Sequence, residues 1–346
     1  MHESKHWPAR VLAKGRVLEL LALLTALGCL AGCALAGLST SPHGPVASPL
    51  WATSPSAGAT SGPQPGEQLS AISWPEAGVS AAGIGGYGLV AGPGATEPAP
   101  IASVAKLMTA YVILQDHPLP SGGSGPDITV QPAEAAAYPA QARDGDSLVA
   151  VVAGETITER QALQALLLAS ADNMAWILAR WDAGGQAAFD ARMNAAARRL
   201  GMTATSYTDP SGLDPSTIST AADQVRLGMA AMQVPALAAI AAMPTAVVPV
   251  AGLVHNYNTL LGQDGIVGLK TGSTQAAGGC VVLAAWHQAG GHDTLIVAAT
   301  LGQPGTAQTI LPNALTAGQA LVLSVDQALD RRAGPQRRSP APVTGP

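Results

Sequence analysis

The chain has 346 residues, of which 48% are hydrophobic, 11% charged and 3% aromatic. That apolar content can bury a large core, and with Phe189 the one phenylalanine the core must be built from Ala, Leu and Val. The formal net charge is −5 overall and about −11 between residues 39 and 330, which argues against a nucleic-acid partner.

Residues 1–38 read as an export leader. Lys5, Arg10, Lys14 and Arg16 form a basic n-region, and an apolar run from Leu20 to Leu38 follows. Three fates stay open. Leu30-Ala31-Gly32-Cys33 resembles a lipoprotein box that leaves Cys33 lipidated, Ala34-Leu35-Ala36 resembles an ordinary cleavage site, and the run is also long enough to stay as a membrane anchor. All three place the rest of the chain outside the cytoplasm, in the cell envelope. Residues 39–65 are a flexible Pro/Ser/Gly linker, and 66–330 form the folded domain, with structure beginning near Ala71. Residues 331–346 are a basic, Pro-rich, unstructured tail.

Within the domain, Val79 to Val90 reads as a β-hairpin. Pro100 ends what precedes it, and a helix runs from Ser103 to about Gln115, stopped by His117-Pro118. Ile128 to Val130 and Ser147 to Val152 are short strands or extended pieces. Thr158-Glu159-Arg160-Gln161 is a capping start to a helix ending near Ala169. Further helices cover Ala171 to Trp181, Ala187 to Leu200 with Gly201 as its stop, and Thr220 to Gln233. A turn-rich loop spans Asp209 to Asp214. After Met243 the pattern becomes β, with strands at Val247 to Val250, Ile266 to Thr274, Gly278 to Trp286 and Asp293 to Leu301. Gly290-Gly291 supplies a hairpin turn, and Leu311 to Leu329 is a closing helix. Strands at both ends with helices between them predict an α+β domain whose N-terminal hairpin joins a C-terminal antiparallel sheet. Past the leader the chain holds only Cys280, so no internal disulfide forms, and its apolar flanks make it a buried strand thiol. The seven histidines lack metal-ligand spacing, so neither a metal nor another cofactor is expected.

Ser103 and Lys106 are one helical turn apart, which puts an amine in reach of a hydroxyl that is a poor nucleophile without a base. The lysine count sharpens this pair. Beyond the leader only Lys106 and Lys270 are lysines, and every other basic side chain is Arg. Lysine can give up its proton in a protein and arginine cannot, so these two positions read as chemically required. Lys270 opens Lys270-Thr271-Gly272-Ser273-Thr274 on a predicted strand, and Ser170-Ala171-Asp172-Asn173 lies between two predicted helices.

Ser-x-x-Lys, Ser-Ala-Asp-Asn and Lys-Thr-Gly, in this order, resemble the signature trio of penicillin-binding proteins and class A β-lactamases. Ile101 to Ala110, Leu166 to Ala175, Met193 to Met202, Asp209 to Asp214 and Asn258 to Gly278 are further similar to the serine-type D-Ala-D-Ala carboxypeptidases, the low-molecular-mass penicillin-binding proteins. The resemblance implies a DD-peptidase/β-lactamase-like transpeptidase fold, a five-stranded antiparallel sheet beside an all-helical lobe. It implies that Ser103 attacks the penultimate D-Ala of a peptidoglycan stem peptide, with Lys106 as general base and Ser170 as proton relay. Lys270 and Thr271 are implied to hold the substrate carboxylate, Gly272 to allow close approach, and Ser103 and Ser273 to offer oxyanion-hole N–H groups. β-Lactams are implied as acylating inhibitors, and no cofactor is needed. The middle motif departs from the family's usual Ser-x-Asn: either Asp172 fills the third position or the loop shifts to offer Asn173. Asp172 is the favoured occupant. Two other readings compete, a β-lactamase, disfavoured by the lack of any Glu after Glu159, and a non-catalytic penicillin sensor.

Overall fold

The computed structural model describes residues 72–289 and 292–333. The leader, the linker, the Gly290-Gly291 turn and the tail beyond residue 333 lie outside the described residues. The chain opens with β1 (Val79–Ile84), β2 (Gly88–Ala91) and the short β3 (Ala99–Pro100). A 3-10 turn, Ala102–Ala105, runs into α1 (Lys106–Asp116). Next come β4 (Asp127–Thr129), α2 (Pro132–Asp144), β5 (Thr156–Thr158), α3 (Glu159–Leu168), α4 (Asp172–Ala183) and α5 (Gln186–Arg199). After β6 (Ile218–Ser219), α6 (Ala221–Ala231) and α7 (Pro235–Ala241) comes the small hairpin β7 (Thr245–Val248) and β8 (Gly252–His255). The long strands β9 (Ile266–Thr274), β10 (Gly278–Ala289) and β11 (His292–Gln303) precede α8 (Ile310–Ala333).

The principal sheet has the order β2-β1-β11-β10-β9 with every pair antiparallel. The N-terminal hairpin thus joins the C-terminal strands as the sequence predicts, through β1 against β11. The period-2 pattern separates two cores. Ala82, Ile84, Val281, Leu283, Ile296 and Ala298 face α8, where Leu321, Val322 and Val325 cover them. Ala81, Val282, Ala284, Val297 and Ala299 face the other helices, in one cluster with Leu107, Leu163, Leu178 and Phe189. Cys280 is in that second core, and burial pushes its thiol up to about 12, so it stays protonated.

Local signals placed several boundaries correctly. Thr158 caps α3 and forms a capping box with Gln161, and Thr220 caps α6 through the Asp223 N–H. Gly201 follows α5 with φ +71°. Other segments differ from the sequence reading. Ser147 to Val152 has no strand partner, and β4 pairs instead with β5. Helix α2 carries no sequence signal, because it buries no residue and shows no apolar stripe. Helix α7, opened by Pro235, was also unforeseen. Finally, α8 continues through Ala333, so Arg331 and Arg332 are helical rather than the start of an unstructured tail. The Arg332 guanidinium sits 4.8 Å from the Tyr87 ring centroid, a cation–π seat that favours the extra turn.

Candidate active site

Ser103 lies in the 3-10 turn, not at the cap of a regular α-helix. Three residues per turn eclipses positions i and i+3, which sets Lys106 directly over Ser103. The Lys106 ammonium nitrogen is 2.8 Å from Ser103 Oγ. The lysine is completely buried, whereas the serine is half-buried and open on one side. Ala102, just before it, has φ +49°, a left-handed backbone seldom adopted by alanine. The reason for this tight entry is visible in β9: a Cβ on Gly272 would stand 2.9 Å from Ser103 N and 2.8 Å from Val104 N. Only glycine lets the edge strand come this close.

Lys106 Nζ has two further contacts, Asp172 Oδ1 at 2.6 Å and the Ser211 carbonyl at 2.7 Å. Asp172 is the first residue of α4 and is almost fully buried. Its other oxygen accepts from Ser147 N at 2.9 Å, while its own N–H donates to Ser147 O at 2.7 Å. Asn173 is turned to a different wall. Its Nδ2 donates to Val149 O at 2.8 Å and its Oδ1 accepts from Val149 N at 3.3 Å, so both polar ends hold the loop backbone rather than a lysine. These contacts also explain the missing strand at Ser147 to Val152: its backbone groups pair with the side chains of α4 instead of a ladder.

Lys270 comes from β9. Its Nζ donates to Ser170 Oγ at 3.0 Å and to Thr271 O at 2.8 Å. Ser170 has φ +57°, which bends the chain between α3 and α4. Burial holds Lys270 well below the ordinary lysine value; the nearby Lys106 charge pushes the same way and Asp172 opposes it. Gly272 and Ser273 follow on β9, an edge strand of the sheet. Ser103, Lys106 and Asp172 thus form one hydrogen-bonded set and Ser170 and Lys270 a second, near enough for the Lys106 and Asp172 charges to act on Lys270, and together they come from a turn, two helices, a loop and a strand. Ser147 and Ser211 belong to the first set, and apart from the turn-rich Asp-Pro-Ser-Gly stretch neither is marked in the sequence.

The contact set around Lys106 has a definite chemical meaning. A neutral amine has two N–H bonds and one lone pair. The Asp172 carboxylate and the Ser211 carbonyl carry no proton, so each takes an N–H. In that neutral form the lone pair faces the one partner that has a proton to give, the Ser103 hydroxyl, whereas an ammonium at the same place donates to all three partners.

The five-stranded sheet with a half-buried serine above a buried lysine, beside a lysine-bearing edge strand, is the DD-peptidase fold. The solved DD-transpeptidase of Streptomyces K15 has the same fold, with a TM-score of 0.64 at 23% identity over 73% of this chain and 99% of that one. The family model described as D-alanyl-D-alanine carboxypeptidase, peptidase family S11, matches residues 90–303, and the chain belongs to that family. Among curated relatives, a D-alanyl-D-alanine endopeptidase of Pseudomonas aeruginosa is 36% identical over 192 residues, 53% of this chain and 58% of that protein. A D-alanyl-D-alanine carboxypeptidase of Mycobacterium tuberculosis is 44% identical over 136 residues, 37% of this chain and 46% of that protein. The chain thus spans about half the length of these two relatives.

Proposed function

We propose that the chain is a serine-type D-Ala-D-Ala carboxypeptidase that trims peptidoglycan stem peptides through an acyl-enzyme on Ser103. The observation that carries this reading is the Lys106 contact set, in which two proton-free acceptors aim the amine lone pair at Ser103. Ser103 Oγ attacks the carbonyl of the penultimate D-Ala while Lys106 takes its proton. The oxyanion forms between the N–H groups of Ser103 and Ser273, close together because Gly272 lets the two segments touch. Collapse breaks the peptide bond, and the proton returns through Ser170 to the leaving amine of D-Ala. Water then hydrolyses the ester.

Lys270 and Thr271 hold the terminal carboxylate. Lys270 is buried against a hydroxyl and a carbonyl, and an incoming carboxylate gives it the counter-charge that these contacts lack. Penicillins present a carboxylate beside a strained amide, so the same groups lead them to acylate Ser103. The substrate places the domain outside the cytoplasm, where the 1–38 leader would deliver it as a lipoprotein, an anchored protein or a released one.

Intact-protein mass after incubation with benzylpenicillin tests this. The wild type gains one long-lived adduct and Ser103→Ala gains none. Rapid loss of the adduct with hydrolysed drug accumulating identifies a β-lactamase instead. No adduct on either protein replaces the enzyme by a non-catalytic binding module. One relative is named as an endopeptidase, so D-Ala release should be compared with cleavage of a crosslinked stem-peptide dimer.

A further inference from the structure

We infer that Asp209 is a positioning residue for acylation: it fixes the Ser211 carbonyl that takes one Lys106 N–H, and so keeps the amine lone pair on Ser103. The inference rests on the reading of Ser103 as nucleophile and Lys106 as base.

The loop after α5 is wound around the Asp209 carboxylate, which is buried. Its Oδ2 accepts from the backbone N–H of Ser211 at 3.2 Å, Gly212 at 2.8 Å and Leu213 at 3.1 Å, and from the Ser211 hydroxyl. Its Oδ1 accepts from Thr217 Oγ1 at 2.6 Å. The Gly212 bond matters most. The Gly212 N–H and the Ser211 C=O are opposite ends of one planar trans peptide unit. Asp209 holds the N–H end, and Lys106 Nζ meets the C=O end at 2.7 Å. A carboxylate on the N–H also polarises that peptide and makes its carbonyl a stronger acceptor.

Two more contacts hold the unit from α1 and the 3-10 turn. Thr109, one turn beyond Lys106, donates to the preceding carbonyl of Pro210 at 2.6 Å. Gly212 has φ +81°, and a Cβ there would fall 1.9 Å from Ala102 O, so this loop is seated against the residue before the nucleophile. Without the Ser211 carbonyl, Lys106 can turn an N–H toward Ser103 Oγ and point its lone pair away. In that orientation the serine keeps its proton.

The test measures the rate constant for acylation of Ser103 by benzylpenicillin separately from the non-covalent dissociation constant, in wild type, Asp209→Ala and Asp209→Asn. Asp209→Ala should slow acylation by about 100-fold, the loss typical of a misplaced reacting group, with non-covalent binding unchanged. In Asp209→Asn an amide oxygen still accepts from Gly212, so that variant should lose only about fivefold. The partial rescue marks positioning, and if the alanine variant does not fold, the asparagine variant decides. A folded variant that acylates at the wild-type rate overturns the inference, as does a loss shared equally by binding and rate. Absence of acylation in the wild type instead overturns the reading of Ser103 on which the inference stands.

Discussion

Replacing Asp172 by Asn keeps the shape of the side chain and removes its charge 2.6 Å from Lys106 Nζ. At an effective dielectric of about 20 the charged pair is worth about 6 kcal/mol before desolvation is subtracted. Removing one member of a buried pair typically costs about 3–5 kcal/mol, and this pair is buried on both sides. Part of that cost comes from the other oxygen, since the amide must also face the Ser147 N–H or Lys106 with a donor. The effect on rate follows from when the charge appears. Counted from the form in which Lys106 is the neutral base, its charge develops as Ser103 attacks, so a transition state with half the charge developed loses about 2 kcal/mol, or about 30-fold in the acylation step. Urea unfolding at pH 7 and the time course of adduct mass read the two quantities. Asn173→Ala is the comparison: it orphans the Val149 backbone and costs about 1–3 kcal/mol in stability, yet it should leave acylation near wild type. Wild-type stability and rate in Asp172→Asn, together with loss of acylation in Asn173→Ala, would refute the role of Asp172 beside the lysine.

Among the described residues no carboxylate contacts the buried Lys270, so Lys270→Met should abolish penicillin acylation while stabilising the free protein by about 1–3 kcal/mol at pH 7. Its folded value lies below the unfolded value of about 10.5, so between the two the unfolded chain binds more protons and wild-type stability rises with pH; that rise should vanish in the variant. A thermal midpoint at pH 7 below that of wild type would refute this. Glu159 is buried with no hydrogen-bond partner on either oxygen, and burial raises it to about 7. From about pH 4.5 to 7 the unfolded chain ionises while the folded one keeps its proton, so stability falls as pH rises, by about 2–3 kcal/mol in all. Glu159→Gln should flatten that slope and raise the midpoint at pH 8, and an unchanged slope would remove Glu159 as its source.

The parts of the site that could be read from sequence are those whose geometry is local. Ser103 and Lys106 share one turn, so their spacing already brings an amine to a hydroxyl. The two lysines stood out because lysine was used nowhere else past the leader. Thr158 and Gly201 announce helix ends by the bonds they make within a few residues. What stayed hidden depends on distant partners. Asp172 is the favoured occupant from sequence and does meet Lys106, but the place of its neighbour Asn173 on the Val149 backbone follows only from the packing of α4 against Ser147 and Val149. Ser211 acts through a carbonyl that every residue has, 105 positions from its lysine. Helix α2 lacks a buried face, and α7 is a short alanine-rich segment, so neither carries a strong periodic signal.

The position of β1 sets when the Ser103 site can assemble. This first strand is seated between β2 and β11, so its long-range partner is the last strand to be made. Pairing of such distant segments is slow, and it cannot start before the chain reaches His292. A nascent or truncated chain ending earlier already contains Ser103, Lys106, Ser170 and Lys270. It has no completed sheet to hold β9 against the Ser103 turn, and α8 is not yet there to cover the other face. Ser103 and Lys106 are present long before their site is assembled, so on the proposed mechanism a chain that stops short of β11 should not be acylated by benzylpenicillin.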